Sequence, residues 1–464
     1  MKPPPEPRLR QPDRTILLPN LSLEQALPPD HPVRDIWAYV STMDLSAFLA
    51  RVRAVAGHPG RNATDPRLLL ALWMYATTEG IGSARWLDEL CTDHLAFRWL
   101  CGGVTVNYHL LSDFRTDFET ELDQLLTDHV AALMHQDLVH LQRLAQDGMR
   151  TRAHAGAGSF RKGETIAACQ QQVAEQLALL KQQPDELPGS AARRSRSARQ
   201  RHLEEKLERL QAARVAAAEL EAKRAERVRT RPSTAGGDRA EEAGKKAGRG
   251  STTDPEARRM KMPDGGYRPA YNVQTASTTQ EGIIVAVAVT NAGTDAGQMR
   301  PMIEQVEESH GDVVEEMLDD GGYNSIDDVE AAAAKGIAVY MPLKNEEKDV
   351  KAGKNPYAAK KQDKPGMAAL RQRMGTAEGK TIYKERAATA EWVNAGMRNR
   401  GLYQFVVRGL SKVRAVVLLQ ALVHNLQTTI RLCREKKLAQ SWTGILRAGL
   451  SRKSGEEQRV VVSG

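Results

Sequence analysis

Three acidic residues stand in contexts that suit phosphoryl-group chemistry. Asp147 ends one strand-like stretch, in Asp147-Gly148-Met149-Arg150, and Asp320 ends another, in Asp320-Gly321-Gly322-Tyr323. Glu391 lies on a helical stretch further down the chain. Carboxylates from separated elements can converge on two divalent ions about 4 Å apart, which activate the attacking oxygen and stabilise the leaving oxygen of an in-line displacement. Hard oxygen ligands select Mg²⁺ or Mn²⁺. Each residue also has an ordinary use, since Asp-Gly is a common surface turn and a helical glutamate is usually solvated. Asp-Gly-Gly-Tyr occurs twice, from Asp264 and from Asp320. The first leads into a hairpin. The second lies between a strand and a helix, where a strand's carboxyl end commonly presents ligands, so Asp320 is the stronger candidate. Its neighbour Asp319 is expected to point elsewhere by strand alternation. Asp254 and Asp295 could lie near the site but read better as turn or cap residues, and His424 as a packed core histidine.

The elements that must position these acids change character along the chain. Residues 1–30 are Pro-rich and read as an extended arm. Residues 31–140 are helical, with Leu68, Leu69, Leu72, Trp73 and Tyr75 at three and four spacing. Asp65-Pro66 marks a helix start, and Gly80-Ile81-Gly82-Ser83 a turn into a second helix. Helix, Gly turn, helix suits a DNA-binding helix-turn-helix with Arg85, Arg98 and Arg115 as a local patch, and the same pattern serves ordinary bundles. Residues 163–250 read as an insertion: long helices over 164–183 and 200–229, a break at Pro184 to Gly189, and a linker from Pro232. Around it the pattern gives a first strand near 141–151 and a hairpin of Ala270 to Ala276 with Gly282 to Thr290. A helix over Ala296 to Ser309 and a strand over Val313 to Leu318 come next. A helix over Ser325 to Ala334, a strand at Gly336 to Pro342 and a Lys-rich loop over 344–364 follow. Helices over Ala388 to Asn399 and Leu410 to Arg434 close the series. Strands and helices in this order predict an α/β ribonuclease-H-like sheet (141–162 plus 251–434) interrupted after its first strand and preceded by an all-α domain. A basic tail occupies 435–464.

Charge sharpens the partner question. The 464 residues carry a net charge of +8, but the excess sits in residues 193–249 and 392–464, whereas the N-terminal helices and residues 250–391 are net acidic. Arginine-rich blocks suit a polyanion, although solvated charged helices would look the same. The four cysteines form no CxxC pair or zinc spacing, which with the absence of an apolar leader suggests a reducing, cytoplasmic setting. No run approaches a membrane span. No Walker-type loop, HExxH or nucleophile elbow is present.

Several stretches resemble bacterial insertion-sequence transposases with a DDE triad. They are Asp147 to Ala153, Thr253 to Met260, Tyr271-Asn272-Val273-Gln274, Asp320 to Tyr323, Tyr383-Lys384-Glu385-Arg386 with Glu391, and Arg408-Gly409-Leu410 with His424-Asn425-Leu426. Ile81 to Arg85, Phe97 to Leu100 and Ser112 to Arg115 resemble that family's N-terminal domain. The likeness runs from about residue 30 to 430. It implies Asp147, Asp320 and Glu391 as the catalytic, metal-binding triad, with two Mg²⁺ or Mn²⁺ ions. Tyr383 and Arg386 match the family's usual pattern before the last acid, but four residues separate Arg386 from Glu391, and Arg398 stands where lysine is usual. Arg386, Arg398 and Arg400, with Tyr383, are expected at DNA, as are Arg85 and Arg115. The implied activity is cleavage at the element's ends and transfer of the freed 3′-hydroxyls into target DNA by at least a dimer. A nuclease of the same fold and an inactive DNA-binding descendant are the alternatives.

Overall fold

A computed structural model describes residues 6, 8–15, 17–18, 21–182, 190–230 and 247–450. The expected break at Pro184 to Gly189, most of the Pro232 linker, the first residues of the arm and the end of the basic tail lie outside the described residues.

The N-terminal helices are α1 (Pro32–Val40), α2 (Pro66–Thr78), α3 (Ala84–Asp93), α4 (Leu95–Cys101), α5 (Tyr108–Asp117) and α6 (Glu119–His135). α2 starts as its sequence dictates: the Asp65 side chain accepts from the Arg67 amide and Pro66 opens the first turn. It is buried on nearly every side from Leu68 to Thr77, which is the mark of a central helix rather than a surface one. Ser83 caps α3 by accepting from the Trp86 amide. The arm is not wholly extended, because Leu9–Arg10 pairs with Ala63–Thr64 and Leu23–Ala26 forms a helical turn under a Ser22–Gln25 capping box.

The sheet is built from β1 (Arg143–Arg152), β4 (Arg258–Lys261), β5 (Tyr267–Thr278), β6 (Ile284–Thr290), β7 (Glu316–Leu318) and β8 (Ala338–Tyr340); a separate pair comprises β2 (Phe160–Lys162) and β3 (Arg249–Ser251). The order is β6-β5-β1-β7-β8, with β4 also on β5. β5 is antiparallel to both its neighbours, β6 and β1, whereas β7 runs parallel to β1 and to β8. Between β2 and β3 the insertion rises as α7 (Gly163–Gln182) and α8 (Ser190–Thr230). Its own small core includes Ile166, Val173, Leu177, Leu203, Leu210 and Ala213, separate from the main one.

The remaining helices are α9 (Met299–His310), α10 (Ile326–Ala334), α11 (Pro365–Met374), α12 (Ala377–Asn399) and α13 (Leu410–Glu435). α12 begins eleven residues before the expected Ala388 because Thr376 caps it through the Gly379 amide, a polar start that apolar periodicity does not register. The Lys-rich loop contains a short helix, Glu346–Lys351. α13 joins the two halves of the molecule. Asn425, wholly buried, accepts from the Ile284 amide and donates to the Ile284 carbonyl, both at 2.8 Å, so a side chain satisfies the backbone of β6. On the same face Arg414 donates to the Val287 carbonyl of β6 and pairs with Glu119 and Asp123 of α6. The N-terminal helices and the sheet therefore share one continuous hydrophobic core, from Leu23 to Leu446. The tail begins inside it: residues 442–450 are helical, and Ile445 and Leu446 are buried. Among the described residues no helix is long and apolar enough to cross a membrane.

Candidate active site

β1 and β7 are parallel with Leu318 opposite Ala145. Two residues further along stand Asp320 and Asp147, so the register sets the two acids side by side, Asp320 just past the end of β7 and Asp147, against expectation, in the middle of β1, which continues to Arg152 because it stays paired with β5. Asp320 caps the turn Gly321–Tyr323, its Oδ1 accepting from the Gly322 amide at 2.6 Å. Asp147 Oδ1 accepts from the Gly148 amide at 2.9 Å.

Helix α12 crosses over this pair and supplies the partners. Arg386 Nη2 donates to Asp147 Oδ1 at 2.9 Å and stands 3.6 Å from Asp320 Oδ2. Asn394, about two turns later on the same side, donates to Asp147 Oδ2 at 2.6 Å. Arg143 anchors the helix from below through Glu385 at 2.8 Å. Burial pushes the Asp147 carboxyl up, and Arg386 and the Gly148 amide work against it. Burial would lower the Arg386 guanidinium, but Asp147 and Asp320 outweigh it and hold it above its ordinary value. Burial likewise raises the Tyr383 phenol beside them.

Two further acids crowd the pair. Asp319 is wholly buried, neither of its oxygens has a hydrogen-bond partner, and burial drives its carboxyl well above the ordinary range. Asp295 Oδ1 accepts from Asn272 Nδ2 at 2.6 Å and from Gln274 Nε2 at 2.9 Å, and Arg150 stands 3.3 Å from its Oδ2. Gln274 also accepts from the Tyr323 hydroxyl. Glycine at 148 follows from this packing, since a Cβ there would lie 2.4 Å from Asp295 Oδ1 and 2.5 Å from Gln274 Nε2. Asn394, Asp319 and the Asp295 network were not singled out in the sequence as site residues. An asparagine two turns after Arg386 was the only local signal for the first of them, and strands far apart in sequence hide the others.

The remaining expected residues fall in different places. Glu391 is exposed on α12, three residues before Asn394, with no hydrogen bond or ion pair among the described residues. Arg398 and Arg85 are exposed, Arg85 with its guanidinium 5.1 Å from the Tyr108 ring. Arg115 and Arg400 face inward. Arg115 is 5% exposed, sits 4.1 Å over the Trp73 ring and donates to the Gly82 carbonyl, and burial lowers it to about 10. Arg400 donates to Gln420 at 3.0 Å and Gln427 at 3.2 Å and is lowered by burial to about 10. Both guanidiniums are occupied in packing helices together.

Residues 21–117 match the family model described as "Transposase domain (DUF772)", and residues 350–430 match "Transposase DDE domain". The two matches, one at each end, support an insertion-sequence DDE transposase. No curated protein and no solved structure matches it. In this transposase the first matched span covers α1 to α5, and the second covers α11, α12 and most of α13, with Tyr383, Arg386 and Glu391 inside it. Asp147 and Asp320 lie between the two spans.

That family generally works with divalent cations. The donor pair here fits one, because Asp147 and Asp320 already share a single positive group, the Arg386 guanidinium. Among the described residues no group of three His, Cys, Asp or Glu side chains is placed to hold a metal ion, so Glu391 does not join them in this arrangement.

Proposed function

We propose that this transposase cuts DNA at the ends of its element and joins the freed 3′-hydroxyls to target DNA, using Asp147, Asp320 and Glu391. The observation that carries this reading is the meeting of Asp147 and Asp320, on two neighbouring parallel strands, around one cationic group. The strand order, three antiparallel strands followed by two parallel ones, supports a ribonuclease-H-like sheet.

Asp147 and Asp320 would hold Mg²⁺ or Mn²⁺, and Glu391, adjacent on the helix to Asn394, would complete the set by turning its unpartnered side chain inward. When bound, such ions supply the charge that stabilises the attacking and leaving oxygens of an in-line displacement. The chain's own residues do the positioning. Asn394 keeps one Asp147 oxygen oriented, the Asp295 network fixes the strand behind it, and Arg386 is released from the two carboxylates to hold a phosphate. Arg398 and Tyr383, on the same helix, extend the contact along the DNA, and Arg85 serves the end-binding helices. Cleavage at two ends calls for at least two copies on DNA.

Labelled duplexes that carry the element's end test this. With Mg²⁺ the chain should nick the duplex and then join it to a target, and Asp147→Asn, Asp320→Asn and Glu391→Gln should each lower both steps on the order of 10³-fold or more. Normal turnover by Asp320→Asn would sink the assignment of the pair, and normal turnover by Glu391→Gln would remove Glu391 alone. Nicking without joining would reduce the reading to a nuclease.

A further inference from the structure

Between the insertion and the edge of the sheet lies a groove of about 1220 Å³. One wall is α8, with Lys223 and Arg224; the other is the β4 edge, with Arg258 and Arg259; Lys162 of β2 and Arg249 of β3 complete the lining. Among the described residues lining it, Glu219 is the single carboxylate against these six cations. Lys162, Lys223, Arg249 and Arg259 are exposed, and none forms an ion pair among the described residues. Cations concentrated along two facing walls repel one another unless a polyanion lies between them. Tyr267, 60% exposed, stands at the rim.

The groove also connects to the acidic pair. Its end is the loop of Asn291, Ala292, Gly293 and Thr294. Arg150 donates to the Gly293 carbonyl at 3.2 Å, and the same nitrogen reaches Asp295, which backs on Gly148 beside Asp147. One short loop therefore runs from the groove to the strand that carries Asp147.

We propose that this groove binds the sugar-phosphate backbone of the DNA strand leading away from the acidic pair, as an unpaired strand with a base stacked on Tyr267. Its location relative to the scissile phosphate rests on the function proposed above; its binding of DNA does not. The cations suit phosphates spaced along a strand, and a basic channel with an exposed aromatic is the usual way of holding unpaired nucleic acid.

The test measures binding by the full chain without divalent ions, so that no cleavage intervenes. Lys162→Gln, Lys223→Gln, Arg249→Gln and Arg259→Gln are combined in one chain, with an unchanged thermal midpoint as the control for folding. Binding to a fluorescent duplex with an unpaired flank is followed as salt rises. The slope of log affinity against log salt should become shallower by about 2–3, at about 0.7 per lost phosphate contact. Tyr267→Ala should weaken binding of the flanked duplex about tenfold and leave the fully paired duplex unchanged. An unchanged slope would overturn the groove as a DNA site, and equal losses on paired and flanked DNA would overturn the unpaired strand. If the groove variant loses slope as expected while the unsubstituted chain never cleaves with Mg²⁺, the catalytic proposal is retired and the groove stands.

Discussion

Asp147 shows how little an acidic side chain says about itself until its partners are known. Its two oxygens are engaged by different residues of one helix, Arg386 and Asn394, and a third bond comes from its own strand. Arg386 is shared with Asp320 and is the group a phosphate would recruit, whereas among the described residues Asn394 donates its side-chain hydrogen bond to Asp147. Asn394→Ala is therefore expected to leave the fold and DNA affinity intact and to lower the cleavage rate by about 10–100-fold, the usual cost of losing a group that orients a ligating carboxylate. A shift in the Mg²⁺ concentration needed for half-maximal rate, with Asn394→Asp restoring part of it, would distinguish orientation from general damage. Wild-type rates in Asn394→Ala would mean that the hydrogen bond orients nothing the reaction uses.

Among the elements, α13 carries the most consequential packing, and two buried histidines lie on its contacts. His129 of α6 stands between the Tyr39 hydroxyl at 2.6 Å and Thr429 of α13 at 3.1 Å, and burial lowers it to about 3. His424 of α13 stands 2.9 Å from the Gly282 carbonyl and is lowered to about 4, again mainly by burial. Gly282 is itself held at φ +73°, with Trp392 where a Cβ would go. Both rings stay neutral in the fold, whereas the unfolded chain protonates them below about 6.5. Their folded values are depressed, so the unfolded state binds more protons as pH falls. Stability should thus be full above about pH 6.5 and decline towards pH 4, by about 1.4 kcal/mol per pH unit for each ring. Urea midpoints at pH 7, 6 and 5 should fall in step, and His129→Gln should remove part of the slope. Equal midpoints across that range would show that neither ring is held neutral.

For the molecule as a whole, the insertion is nearly a separate body. β2 and β3 pair with Lys162 opposite Arg249, so the chain leaves and re-enters the rest of the protein at adjacent points. The insertion's apolar contacts are largely its own. Replacing residues 163–248 with Asn-Gly, a two-residue hairpin turn, should leave a folded protein whose thermal midpoint moves by only a few degrees. The same chain should bind DNA more weakly and with a shallower salt dependence. Failure to fold would show that α8 is needed to cover the sheet edge. The N-terminal helices behave in the opposite way, since they share the main core and could not be removed without exposing α13.

Much of this was open to reading along the chain, because it depends on neighbours. Asp65-Pro66 and Ser83 set helix starts with their own side chains, and the β-rich Tyr271 and Ile284 stretches with a polar turn between them specified paired strands. Asp320 stood after a strand that composition could locate, whereas Asp147 lies within β1, whose pairing runs on to Arg152. Long-range pairing settled the rest. The register of Leu318 against Ala145 sets Asp320 beside Asp147, and no local pattern encodes a register between strands so far apart. Burial separated arginines that look alike in sequence: Arg386 bridges two carboxylates, Arg115 and Arg400 tie helices together, and Arg398 faces solvent. The charge blocks located the basic insertion, but one wall of its groove is a strand from a net-acidic segment. Which cations face one another depends on how α8 lies against the sheet.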